Sequence, residues 1–98
     1  MQRSTDAMVF IVDDDASVRA GLAWLLRSRG LPSQAFENAQ EFRDFLAGDF
    51  RQDQACCVLL DVRMPGMSGL ALFEWMVERA MCQVMPVIFL TGHADLTT

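Results

Sequence analysis

The chain has 98 residues and a mass of 11.0 kDa, enough for one small domain. Hydrophobic residues at 52% and charged residues at 21% give a globular composition, not a disordered one. The net charge of -5, from 13 acids against 8 bases, excludes the broad basic stripe that nucleic-acid binding by this segment alone would need. No apolar run approaches the roughly 18 residues that a membrane span requires, and the polar residues 1–7 read as a flexible N-terminal segment, not a secretory signal. All eight bases are Arg, and nine of the acids are Asp. The cysteines Cys56, Cys57 and Cys82 are odd in number and two are adjacent. That pattern predicts reduced, cytoplasmic thiols and neither a disulfide framework nor a four-ligand zinc site.

In chain order, short β-type runs alternate with helical periods. Val9-Phe10-Ile11-Val12 is a β-branched apolar run stopped by three Asp, and it reads as a strand buried on both faces. Val18, Leu22, Leu25 and Leu26 recur at i, i+4, i+7 and i+8, one face of a helix that Gly30 ends. Residues 32–36 form a weaker, more polar strand near an edge. Asn38 with Glu41 three residues on resembles a capping box. Ala39, Phe42 and Leu46 line the helix that follows, which Gly48 ends. Cys56 to Leu60 is a second buried run, stopped by Asp61, and residues 63–66 form a loop. Ser68 caps a helix with Leu70, Phe73 and Val77 on its shared face. Pro86 opens the last run, Val87-Ile88-Phe89-Leu90, which gives way to Thr91-Gly92.

The order βαβαβαβ predicts a parallel, doubly wound sheet with helices on both faces, and such sheets carry function at the carboxyl ends of their strands. Those ends present Asp13, Asp14 and Asp15, then Asp61, then Thr91 and Gly92. If the first and third strands are neighbours, Asp13, Asp14 and Asp61 converge in one crevice. Carboxylates so close repel one another unless a hard cation sits among them, and an oxygen-only donor set suits Mg²⁺. The same triplet also suits a helix start, where anions meet free N–H groups.

Three blocks together carry a family resemblance: Val9 to Asp15, Val58-Leu59-Leu60-Asp61-Val62-Arg63-Met64-Pro65-Gly66-Met67-Ser68-Gly69, and Pro86 to His93. The chain resembles the receiver domain of two-component response regulators from about residue 8 to residue 98, and the middle block is most similar to the FixJ-type subfamily with LuxR-type output domains. The resemblance implies the flavodoxin-like receiver fold of the chemotaxis protein CheY. It implies that Asp61 is the phosphoryl acceptor. Asp14 and Asp61 would bind Mg²⁺ directly, Asp13 mainly through water, and the backbone carbonyl of Arg63 would add a ligand. Thr91 would be the switch hydroxyl, and Gly92 would leave room for the phosphoryl group. The implied partner is a sensor histidine kinase. Contact with DNA would run only through an output domain, and no membrane contact is implied.

One departure stands out. Receivers carry a Lys at the end of a fifth strand, and this chain has no Lys. It stops at Thr98, where the family's last helix, strand and helix would follow, so the expected fold is a receiver truncated after its fourth strand. Two other functions compete. An aspartate-nucleophile phosphohydrolase of the haloacid dehalogenase type needs a general acid two residues after the nucleophile; Arg63 stands there and cannot serve. A module that no longer takes up phosphate and works by association is the other. An uncovered fourth strand would favour a homodimer, edge to edge or by exchange of C-terminal segments.

Overall fold

The structure, a computed structural model, describes residues 7–48, 50 and 54–90. Four strands, β1 (Met8–Val12), β2 (Ser33–Phe36), β3 (Cys56–Asp61) and β4 (Val87–Leu90), alternate with three helices, α1 (Ala16–Ser28), α2 (Ala39–Gly48) and α3 (Gly69–Glu78). A 3-10 turn, Met81–Gln83, leads into β4. All pairings are parallel and the order is β2-β1-β3-β4. The chain therefore winds outward from β1 first to β2, then back across it to β3 and β4. Right-handed crossovers in those two directions place α1 on one face and α2 and α3 on the other. The fold class expected from the alternating pattern is the fold observed.

Register decides which side chains share a face. Phe10 lies beside Val58, and Val12 beside Leu60. These four join Phe36, Ala39, Phe42, Leu46, Leu72, Met76 and Met85 in one core beneath α2 and α3. Phe10, Phe36, Phe42, Phe45 and Phe50 make ring contacts there, edge-on or tilted except for the stacked Phe42–Phe45 pair, with centroids 4.9 to 6.2 Å apart. Each such pair adds about 0.5–1.5 kcal/mol beyond its burial. The α2 stripe of Ala39, Phe42 and Leu46 is buried as its spacing predicts. Asn38 Oδ1 accepts from Glu41 N–H at 2.8 Å, so Asn38 caps the helix; the Glu41 carboxylate accepts from the Glu37 N–H, one residue beyond the N-cap N–H of the usual capping box.

Three expectations need correction. In α1 no residue is buried, and Val18 and Leu25 of the predicted apolar face are exposed. The cause is tertiary: α1 packs on β1 and β2, and the face it shares with β3 and β4 has no further cover among the described residues. In α3 the buried face is Gly69, Leu72 and Met76, while Leu70 and Val77 point outward. That helix is apolar almost all round, so periodicity alone could not select the side that meets the sheet. Finally, β3 is not buried equally on its two faces, because Cys57 and Leu59 on the α1 side are only half covered.

The ends of α3 need special backbone. Its first residue, Gly69, lies against the end of β3. A Cβ there would overlap the Asp61 carbonyl oxygen and sit 2.9 Å from its carbonyl carbon and 3.1 Å from Val62 Cα. Past its other end, Ala80 takes the left-handed conformation (φ 58°) usually given to Gly, with its N–H donating to the Val77 carbonyl at 2.9 Å.

Candidate functional site: an acidic pocket at the strand ends

The site forms where the strand order reverses, between the carboxyl ends of β1 and β3. β1 delivers Asp13, whose N–H donates to the Phe36 carbonyl of β2 at 3.2 Å. The chain then leaves the sheet. Asp13 Oδ1 accepts from the Asp15 N–H at 2.9 Å. Asp15 is the N-cap of α1: its carboxylate accepts from Ser17 N–H (2.8 Å), Ser17 Oγ (2.7 Å) and Val18 N–H (3.3 Å). The triplet thus divides its labour. Asp15 starts the helix, and Asp13 and Asp14 are left facing the pocket.

β3 delivers Asp61, whose Oδ1 accepts from the Arg63 N–H at 3.3 Å. Oxygens of Asp13, Asp14 and Asp61 all lie within 4.8 Å of one another. Asp13 and Asp61 are buried, at 5% and 8% exposure, while Asp14 is open to solvent. The convergence anticipated from the sequence is therefore present.

The electrostatics follow. Burial raises the Asp61 carboxyl above its ordinary range, the neighbouring Asp13 raises it further, and the Arg63 N–H only partly opposes them. Burial also raises Asp13; the Asp15 N–H and the Arg19 guanidinium pull the other way, against the charges of Asp14 and Asp15. Asp15 is lowered, chiefly by the Ser17 hydroxyl. Two buried carboxylates beside a third, with oxygens only and one side open to water, suit a hard divalent cation such as Mg²⁺.

Arg63 follows at two residues' distance, its side chain exposed. With Val62, Met64, Pro65, Ser68 and Leu70 it lines a shallow, mainly apolar groove beside the pocket. Thr91, Gly92 and His93 lie outside the described residues. The three thiols are free, and burial raises each of them, which suits packing better than reactivity. Two residues that shape the site went unremarked in the sequence. Gly69 was legible only as one glycine in the motif, and its need for close approach is a tertiary fact. Arg19, one turn into α1, reaches back to the pocket loop and donates to the Asp13 carbonyl at 2.9 Å.

Residues 9–98 match the response regulator receiver domain family, so the chain belongs to that family. Nodulation protein W of Bradyrhizobium diazoefficiens is 42% identical over 96 residues, covering 97% of this chain and 39% of that protein. The transcriptional regulatory protein TdiR of Thauera aromatica is 44% identical over 90 residues, covering 89% of this chain and 36% of its own length. The chain thus spans about two fifths of the curated relatives it matches. Among solved structures, that of FixJ-N superimposes with a TM-score of 0.79 at 34% identity, covering 96% of this chain and 70% of the other. The likeness to FixJ and to transcriptional regulators holds, and the fold is that of receivers. No described helix is long and apolar enough to cross a membrane.

Proposed function

We propose that this chain is a phosphoacceptor signalling module in which Asp61 receives a phosphoryl group from a phosphohistidine of a sensor histidine kinase. The observation that carries this reading is the meeting of Asp13, Asp14 and Asp61 at the ends of two adjacent parallel strands. An Asp61 oxygen attacks phosphorus, forming an O–P bond as the N–P bond breaks; the electron pair stays on the imidazole, which takes up a proton. Asp61 is held for this by its place at the end of β3 and by the Arg63 N–H. Asp14 and Asp61 would hold Mg²⁺ directly, with Asp13 acting through water and the Arg63 carbonyl completing the protein's share. Mg²⁺ in that place offsets the repulsion between the carboxylates and the incoming anion.

The phosphoryl group brings nearly two negative charges into a confined pocket, and such a charge biases any nearby donor that can move toward it. By the family resemblance that donor is the Thr91 hydroxyl, with Gly92 leaving space. The same reading sets residues 8–98 as the receiver unit and gives it a cytoplasmic place. It assigns transcriptional control to an output domain that alone meets DNA, makes the module no turnover enzyme, and includes association with a second copy. For that last element, Ile88 at 53% and Phe89 at 37% exposure lie on β4, at the sheet edge among the described residues.

Incubation with acetyl phosphate and Mg²⁺, followed by mass spectrometry of the Asp61 peptide, tests the reading. Labelling of Asp61 that disappears in Asp61→Asn is expected. Labelling that persists in Asp61→Asn, or that falls on another residue, would overturn it.

A further inference from the structure

We propose that Arg19 is a positioning residue for the acidic pocket, holding the loop of residues 13–15 in the conformation that lets Asp13 and Asp14 meet Asp61. The inference rests on reading those three carboxylates as a cation site.

Asp13 is the last residue tied to the sheet, and each of its polar groups has a partner. Its N–H goes to Phe36 of β2, its carboxylate takes the Asp15 N–H, and its carbonyl takes Arg19 Nη1 at 2.9 Å. The carbonyl is the critical group. Its direction sets the peptide plane between Asp13 and Asp14, and hence where the Asp14 side chain leaves the backbone. Arg19 is half-buried and sits on α1, which Asp15 starts. Its own N–H closes the first turn of that helix on the Asp15 carbonyl at 3.0 Å. One residue therefore clasps the loop at two points, through its backbone and through its guanidinium. Two other arginines engage elsewhere: Arg43 lies 3.9 Å from the Asp44 carboxylate, and Arg79 stacks over Trp75. Arg is suited to the task because its planar, always charged head loses less freedom per hydrogen bond than an ammonium does.

A guanidinium beside a cation site has two opposed effects. As a charge it repels Mg²⁺, so removing it should tighten binding. As a clasp it orients the oxygens, so removing it should weaken binding. The sign of the change therefore separates positioning from bulk electrostatics. A purely structural role would lower stability and leave the affinity of the folded protein alone.

The experiment is calorimetric titration of the 98-residue chain with MgCl₂, comparing wild type, Arg19→Met, Arg19→Lys and Asp14→Ala, with urea unfolding of each in chelator. Arg19→Met keeps the aliphatic stem and loses both charge and donor. It should bind Mg²⁺ about tenfold more weakly, as loss of a partner that orients a metal ligand usually does. Arg19→Lys should fall between it and wild type. Binding by Arg19→Met that equals or exceeds wild type overturns the inference. If that variant does not fold, Arg19→Lys decides: its charge is unchanged, so weaker binding reports the lost geometry, and equal or tighter binding overturns the proposal. Failure of wild type to bind Mg²⁺, or binding by Asp14→Ala equal to wild type, overturns the cation-site reading itself and the inference with it.

Discussion

The acidic pocket carries an electrostatic cost that a single isosteric change should relieve. Asp61 has carboxylate oxygens of both Asp13 and Asp14 within 4.8 Å. At that separation two unit charges repel by about 0.9 kcal/mol at the dielectric of water and about 3.5 kcal/mol at an effective value near 20. Asp14 is exposed and belongs at the lower end; Asp13 is buried and lies between. Salt at ordinary ionic strength screens part of each contribution. Asp61→Asn keeps the shape and the oxygen that accepts the Arg63 N–H, and it removes both repulsions. In chelator near neutral pH it should therefore stabilise the chain by about 1–3 kcal/mol.

The sign with pH is fixed by the direction of the shifts. Both Asp13 and Asp61 are raised above the ordinary 3.8, so the folded state holds their protons more tightly than the unfolded chain. The stability from those protons is present below 3.8 and is lost as pH rises through the raised folded values. The advantage of Asp61→Asn should thus be small in acid and reach its full size near neutrality. Urea unfolding at both conditions measures it. An advantage equal at the two pH values, or a loss of stability near neutrality, would refute the repulsion account. Saturating Mg²⁺ should narrow the gap by stabilising wild type more than the variant.

Gly69→Ala should cost about 3 kcal/mol, because its Cβ meets fixed backbone of Asp61 and not a side chain that can turn away; it should also weaken Mg²⁺ binding, as urea unfolding and calorimetry would show, and unchanged stability would mean that α3 can slide from β3. Ala80→Gly should stabilise by about 0.5–1 kcal/mol by relieving the left-handed residue after α3, read as a higher urea midpoint. On the proposed association with a second copy, Ile88→Lys should shift the chain toward monomer in sedimentation at micromolar concentration, since Ile88 is exposed on β4, at the sheet edge among the described residues; an assembly unaffected by it would place the contact elsewhere.

The features legible along the chain are local and periodic. Three apolar runs, each stopped by a polar residue, and one weaker, more polar run specified the strands, and Asn38, Ser68 and the Ala39-Phe42-Leu46 stripe specified where two helices start or what one of them buries. Asp13, Asp14 and Asp61 were legible because carboxylates directly after buried strands have few structural uses and because parallel sheets work at that end. The remaining features come from contacts between segments distant in the chain. Whether Val18 and Leu25 are covered depends on what packs beyond α1, and which side of the almost wholly apolar α3 meets the sheet depends on the close approach at Gly69. The bond from Arg19 to the Asp13 carbonyl depends on the angle at which α1 leaves the loop. Periodicity reports which residues share a face, but not what that face will meet, because the meeting is made by segments distant in the chain.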